Sequence, residues 1–186
     1  TKILQVSKEP LIARGKLGCF DEHGIFPFSP VRYKDKIYGY TSGWSRRQSV
    51  SVDTGIGLAI SEDDGMTFQR IGDGPVLTAT IYEPFLVVDG YVKIIDNVFH
   101  MWYIYGTEWK VFEEGSEPDR IYKIGHAVSN DAIQWCKDGK QIIANKLEYE
   151  AQALPTVCHY NNRYHMYFCF REASNFRSDS NRGYRI

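Results

Sequence analysis

The sequence predicts an all-β fold, a β-propeller of four-stranded blades, and three observations carry that prediction. Aromatic residues make up 15% of the 186 residues, with 13 Tyr, 10 Phe and 4 Trp, a bias toward strands over helices. One stretch of text recurs after 61 and then 65 residues, from Val31 to Val92 to Val157, and self-similarity at a near-fixed period marks an array of like units. Gly43, Gly57, Gly65, Gly90, Gly106 and Gly125 punctuate the chain too often for helices to run between them.

The recurring text is a hairpin: an apolar start, a polar turn, then a strand rich in aromatics. It reads Pro30-Val31-Arg32-Tyr33, Lys34-Asp35-Lys36, Ile37-Tyr38-Gly39-Tyr40 in the first repeat. The second runs Tyr91-Val92-Lys93-Ile94-Ile95, Asp96-Asn97, Val98-Phe99-His100-Met101-Trp102-Tyr103. In the third, Pro155-Thr156-Val157-Cys158-His159-Tyr160 precedes Asn161-Asn162 and Arg163-Tyr164-His165-Met166-Tyr167-Phe168. Each hairpin leads into another. Gly55–Ser61 runs through Glu62-Asp63-Asp64-Gly65 to Phe68, and Lys123–Ser129 runs through Asn130-Asp131 to Trp135. A strand, a tight Asp/Asn/Gly turn and a second strand make a hairpin, so each period holds about four strands, the content of one blade. The run from Phe99 to Tyr105 is nearly continuous in apolar and aromatic residues, as expected of a strand covered on both faces. A plain β-sandwich accounts for the strands but not for the repeat.

One propeller domain is therefore expected over residues 1–186, with repeats at roughly 21–80, 81–146 and 147–186. Tyr184-Arg185-Ile186 matches Tyr122-Lys123-Ile124, where the third strand of a blade begins. About three blades are fewer than the usual minimum of about four, so the propeller is expected to be incomplete at the C-terminus.

Composition bounds the partners. Hydrophobic residues are 43% and charged residues 24% of the chain, which suits a folded domain and excludes disorder. Lys and Arg number 22 against 23 Asp and Glu, so no net charge draws the chain to nucleic acid or an anionic membrane. No apolar run has the length of a membrane span, and no leader pattern opens the sequence. Cys19, Cys136, Cys158 and Cys169 lie far apart without a C-x-x-C pair; they are expected to be reduced core thiols, and a cytoplasmic protein follows. No metal or cofactor is expected. Neither a calcium loop nor clustered ligands appear, and the phosphate-cradling and nucleophile-elbow motifs are missing. The sequence does not indicate an oligomeric state.

At Phe20-Asp21-Glu22-His23-Gly24-Ile25-Phe26-Pro27, Gly55–Ser61, Tyr82-Glu83-Pro84-Phe85-Leu86, Met101-Trp102-Tyr103 and Glu148–Pro155, the text resembles the five-bladed propeller carbohydrate enzymes. That superfamily holds the invertases, levansucrases, arabinanases and mannoside phosphorylases. The likeness is greatest to glycosidase-like propellers associated with polysaccharide biosynthesis. It implies a carbohydrate ligand and a glycoside hydrolase or transglycosidase working through carboxylates at the mouth of the central channel. Its alternative is a non-catalytic accessory module that binds a glycan or a glycosyl donor. Ser61–Phe68 also looks like the Asp box of sialidases, with Phe68 for the usual Trp. A sialidase-like enzyme is the third reading, but an Asp box is a structural turn that identifies a propeller and no chemistry.

Equivalent repeat positions converge at the hub of a propeller, and acids fall near one register. Asp21 lies ten residues before Val31, Glu83 nine before Val92, and Glu148 and Glu150 nine and seven before Val157. Glycoside cleavage needs one carboxylate as nucleophile or base and a protonated one as acid. By resemblance Asp21 takes the base or nucleophile position, Glu83 the orienting position and Glu150 that of the general acid. Glu148 competes for that last role if strand alternation puts it on the same face as Glu150. Glu83-Pro84 departs from the Asp-Pro common in such families. Catalysis requires the Asp21 and Glu150 carboxyls to face one pocket about 5 to 9.5 Å apart. The plainer roles are a turn cap for Asp21, a rim ion pair for Glu83 and a solvated strand end for the third blade's acids. Trp44 and Trp109 follow repeat strands and offer faces for sugar stacking. Arg14 and Arg171 are candidates for an anionic substituent, and His126 for the channel.

Overall fold

The structure is a computed structural model that describes residue 3 and residues 6–186. Three antiparallel sheets follow one another along the chain. The first holds β1 (Gly24–Tyr33), β2 (Lys36–Arg46), β3 (Val52–Ser61) and β4 (Gln69–Arg70) in that order. The second holds β5 (Val87–Ile95), β6 (Val98–Lys110), β7 (Asp119–Ser129) and β8 (Cys136–Lys137), again in sequence order. The third pairs β9 (Glu150–Tyr160) with β10 (Arg163–Glu172). Arg185 then forms an antiparallel bridge to Phe170, with both backbone bonds at 2.8 Å. Up-and-down order within each sheet is the wiring of a propeller blade.

The hairpins form where the turns dictate. Lys34, Asp96, Asn97, Asn161 and Asn162 hold positive φ values of 48–66° at the tips of the three β-hairpins that open the blades; Asn and Asp tolerate this region better than other side chains. The outer turns use another device. Ser61 Oγ accepts the Gly65 N–H at 2.8 Å and Asp63 accepts the Thr67 N–H at 2.9 Å, with Gly65 at φ 87°. The second blade repeats this at Ser129 and Asp131, whose carboxylate accepts the Ile133 and Gln134 N–H groups at 2.9 and 2.7 Å. The hydrogen bonds from Thr67 and its neighbours hold the Asp63 carboxyl down at about 2.

Two cores glue the blades together. Tyr40, Ile56 and Leu58 of the first blade pack against Val87, Val92, Phe99, Met101 and Tyr103 of the second. Leu86, Val88, Ile104, Tyr122 and Ile124 of the second pack against Ala151 and Ala153 of the third. The middle strands β6 and β7 therefore bury both faces, which accounts for the unbroken apolar text of Phe99–Tyr105. Side-chain bonds cross the same seams. Tyr40 Oη donates to Ala132 O at 3.1 Å, Thr54 Oγ1 to Val87 O at 2.9 Å and Tyr91 Oη to Val157 O at 3.0 Å.

The cysteines are free, but they are not core residues as expected. Cys136 and Cys158 are exposed and Cys19 and Cys169 half-buried, because they fall on an outer strand, on the third blade's hairpin and in the loop before β1. No helix among the described residues is long and apolar enough to cross a membrane.

Candidate functional site

Each blade's first strand is interrupted by a bulge, and the three bulges meet. In β1 the register shifts between Ile25 and Phe28, around the cis Phe26-Pro27 bond. In β5 it shifts between Val88 and Tyr91, with Asp89 at φ 58°. In β9 the shift falls between the residues opposite Tyr167 and Cys169, with Leu154 at φ 52°. A bulge adds one residue and re-aims its side chain. Phe26, Asp89 and Leu154 all line a single cavity of about 220 Å³. Its wall also includes Trp44 and Thr54 of the first blade, Ile104, Arg120 and Tyr122 of the second and Tyr184 of the third. All three blades thus contribute to one mostly apolar, aromatic-walled cavity with few polar groups, the usual make-up of a small-ligand site.

The polar groups are well defined. Trp44 Nε1 donates to Phe26 O at 2.6 Å, which fixes the indole. The Arg120 guanidinium lies 5.5 Å from the Trp44 ring centre, within cation–π range. Burial pushes the Asp89 carboxyl up to about 6, although the Leu154 N–H and Arg120 favour its ionised form. Tyr122 and Tyr184 share a hydroxyl hydrogen bond of 2.6 Å, and Arg171 Nε donates to Tyr122 Oη at 3.2 Å from behind the wall.

The three acids singled out by register sit elsewhere. Asp21 is fully buried in the turn before β1 and accepts two bonds from Arg70 of β4, at 2.6 and 3.1 Å. Glu83, ahead of β5 and 2% exposed, accepts the Tyr103 hydroxyl at 2.9 Å and pairs with Lys137 of β8. Glu150 opens β9 and accepts the Lys146 and Leu147 N–H groups at 2.9 and 3.1 Å and Gln152 Nε2 at 2.8 Å. In the first two blades the acid heading the first strand is thus tied to the cation on the fourth. The structure does not gather these acids into the shared cavity; Asp21 and Glu83 are enclosed by partners of their own blade, and Glu150 also receives Lys123 of β7 at its carbonyl. Glu148 is exposed in the turn before β9, where Tyr149 takes φ 49°, so it does not share a strand face with Glu150.

Of the remaining candidates, Trp44 lines the cavity and Arg171 stands behind it. Trp109 lies between two other clefts, one bordered by Arg47 and Asp53 and the other by Asp119 and Arg177. His126 lies 3.1 Å from His100 and 3.5 Å from Asp138, away from the cavity. Arg14 is exposed and lines none of these recesses. Register counting missed Phe26, Asp89, Arg120 and Tyr184. The available signal was the interruption of each first strand by Phe26-Pro27, Asp89-Gly90 and Leu154-Pro155, since Pro and Gly inside a strand mark bulges.

No family model matches the chain. The uncharacterized proteins MT1551 and Rv1502 of Mycobacterium tuberculosis (strains CDC 1551 / Oshkosh and ATCC 25618 / H37Rv) are each 32% identical over 174 residues. The match covers 92% of this chain and 56% of theirs, so the chain spans little more than half the length of these relatives. A glycoside hydrolase structure superposes with a TM-score of 0.66 at 15% identity, covering 89% of this chain and 48% of that one. Sucrose-6-phosphate hydrolase from Lactobacillus gasseri gives 0.63 at 16%, over 86% and 30%. A putative glycoside hydrolase from Parabacteroides distasonis gives 0.62 at 17%, over 95% and 59%. At such identities the likeness is one of architecture, and on it the chain shares the β-propeller fold of these structures.

Proposed function

We propose that this chain recognises carbohydrate at the cavity where the three strand bulges meet. One observation carries the reading: all three blades turn a bulged residue into one recess walled by Phe26, Trp44, Tyr122 and Tyr184, with Asp89 and Arg120 as its charged groups. Aromatic faces accept the apolar faces of a sugar ring, and a few placed polar groups select its hydroxyls. Asp21, Glu83 and Glu150 then serve as anchors that tie strands and loops within their blades. The likeness to glycoside hydrolase structures supports the ligand class. Titration of the full chain with neutral and acidic monosaccharides, followed by Trp fluorescence and calorimetry, tests the reading. Saturable binding that Trp44→Ala weakens at least tenfold is expected; binding indifferent to Trp44 overturns it.

A second reading, glycosidic bond cleavage or transfer, is favoured by the carboxyl of Asp89, raised to about 6 in an aromatic recess. Such a group keeps its proton close to neutrality and suits a general acid. Aryl glycosides and oligosaccharides offered to wild type, Asp89→Asn, Asp21→Asn and Glu150→Gln separate the roles. Turnover lost in Asp89→Asn but kept in the other two assigns the acid to Asp89. Turnover lost on changing Asp21 or Glu150, with folding intact, assigns it to the register acids instead.

A further inference from the structure

One guanidinium lines the cavity and a second stands behind its wall, and neither is bonded to a carboxylate among the described residues. The Arg120 side chain makes no hydrogen bond or ion pair among the described residues; it lies over the Trp44 ring and its charge favours the ionised form of Asp89. Arg171 is 1% exposed and has no carboxylate within ion-pair distance among the described residues. Its guanidinium is stacked 3.5 Å from the Phe176 ring centre and bonds Tyr122 Oη and the Glu172 carbonyl. A buried guanidinium without a carboxylate is costly, because charge is removed from water with no counter-charge to offset it. Of the two only Arg120 lines the cavity, and the lining's one carboxyl is Asp89, whose ionised form burial disfavours.

The hydroxyl pair has a direction. Arg171 Nε–H only donates, so Tyr122 Oη accepts from it. The one other hydroxyl recorded against Tyr122 is that of Tyr184, at 2.6 Å. With no other acceptor for it among the described residues, the Tyr122 O–H donates to Tyr184 Oη, and the Tyr184 O–H is left free to donate. Tyr184 lines the cavity and its residue is half exposed. Arg171 thereby polarises a donor chain that ends at the ligand space.

Resting on the carbohydrate reading above, we propose that the cavity's ligand is an anionic sugar, one carrying a carboxylate or a phosphate. The anionic group is held by the Arg120 guanidinium and the Tyr184 hydroxyl, with Arg171 as a positioning residue that acts through Tyr122. A fixed guanidinium suits both oxyanions.

Calorimetry on the full chain with glucose, glucuronate and glucose 6-phosphate tests this, the two acidic probes distinguishing the sources of charge. The better acidic probe is expected to bind at least tenfold more tightly than glucose, with affinity falling as salt rises. Arg120→Met should cost that probe at least tenfold more than it costs glucose, and Tyr184→Phe should cost it severalfold. Glucose binding as tightly as both acids, or Arg120→Met weakening all three alike, overturns the anionic assignment and leaves the carbohydrate reading standing. Failure of all three sugars to bind a chain shown to be folded by its near-UV spectrum overturns both.

Discussion

Asp89 owes its character to its position. A bulge re-aims it from the strand into a recess whose walls are mostly hydrocarbon, and the lost hydration raises its carboxyl to about 6. A carboxyl held above its unfolded value keeps its proton in the native state. The stability it confers is complete below about pH 4 and is lost as pH rises through about 6. Asp89→Asn cannot ionise, so it is expected to gain on the wild type in denaturant stability between about pH 4 and pH 7, by on the order of 2–3 kcal/mol. A constant difference across that range would show that Asp89 is not buried as described. Asp21 is held by a partner instead. Its carboxylate is fully buried and its cation is Arg70, one quarter exposed. Arg70→Met leaves a buried, unpaired charge and is expected to cost about 3–5 kcal/mol, read as a lower urea midpoint. Asp21→Asn combined with Arg70→Met should recover much of that loss, because no charge is then stranded.

At the scale of the strand, glycine spacing matters as much as side-chain chemistry. The Phe20 ring lies across β2 and β3, and a Cβ at Gly43 would stand 2.4 Å from both that ring and the Asp21 Cβ. Gly43→Ala is expected to cost about 1–3 kcal/mol through overpacking. Gly74→Ala, with no heavy atom within 4 Å of its added Cβ, should stay within about 0.5 kcal/mol of wild type; equal losses would argue against the Phe20 packing. These elements were legible to different degrees. Hairpins with Asp-Asn and Asn-Asn tips declared themselves, because local chemistry decides such turns. The Ser61 and Asp63 turn, and its copy at Ser129 and Asp131, were legible for the same reason. The site was harder to see. Acids counted back from Val31, Val92 and Val157 do occupy equivalent places, but equivalence in a blade does not say which face of a loop an acid presents. Glu83 is turned toward Tyr103 and Lys137, its partners 20 and 54 residues along the chain. Pairings that distant leave no local mark. Trp44 was legible from the repeat strand beside it, although β2 runs through it rather than ending before it, as β6 runs through Trp109; Arg120 and Tyr184 reach the cavity through the stacking of blades.

Over the whole molecule, stability is shared between two seams that lie on opposite faces of the second blade. Ile56 is wholly buried in the first seam and Ile124 in the second. The clusters have no residue in common, so the chain should behave as blades coupled to their nearest neighbours, like other repeat architectures. Removing one methylene from either seam tests that. Ile56→Val and Ile124→Val are each expected to cost about 0.5–1.5 kcal/mol, and the double variant should match their sum within about 0.3–0.5 kcal/mol. A larger coupling would mean that the β6 and β7 sheet transmits packing strain from one face to the other. That outcome bears on the cavity, since Leu86, Val88 and Ile104 belong to the second seam and also line it. If the sums agree, Ile124→Val should weaken ligand binding at the cavity while Ile56→Val leaves it unchanged, because one substitution loosens the wall and the other only the far side of the blade.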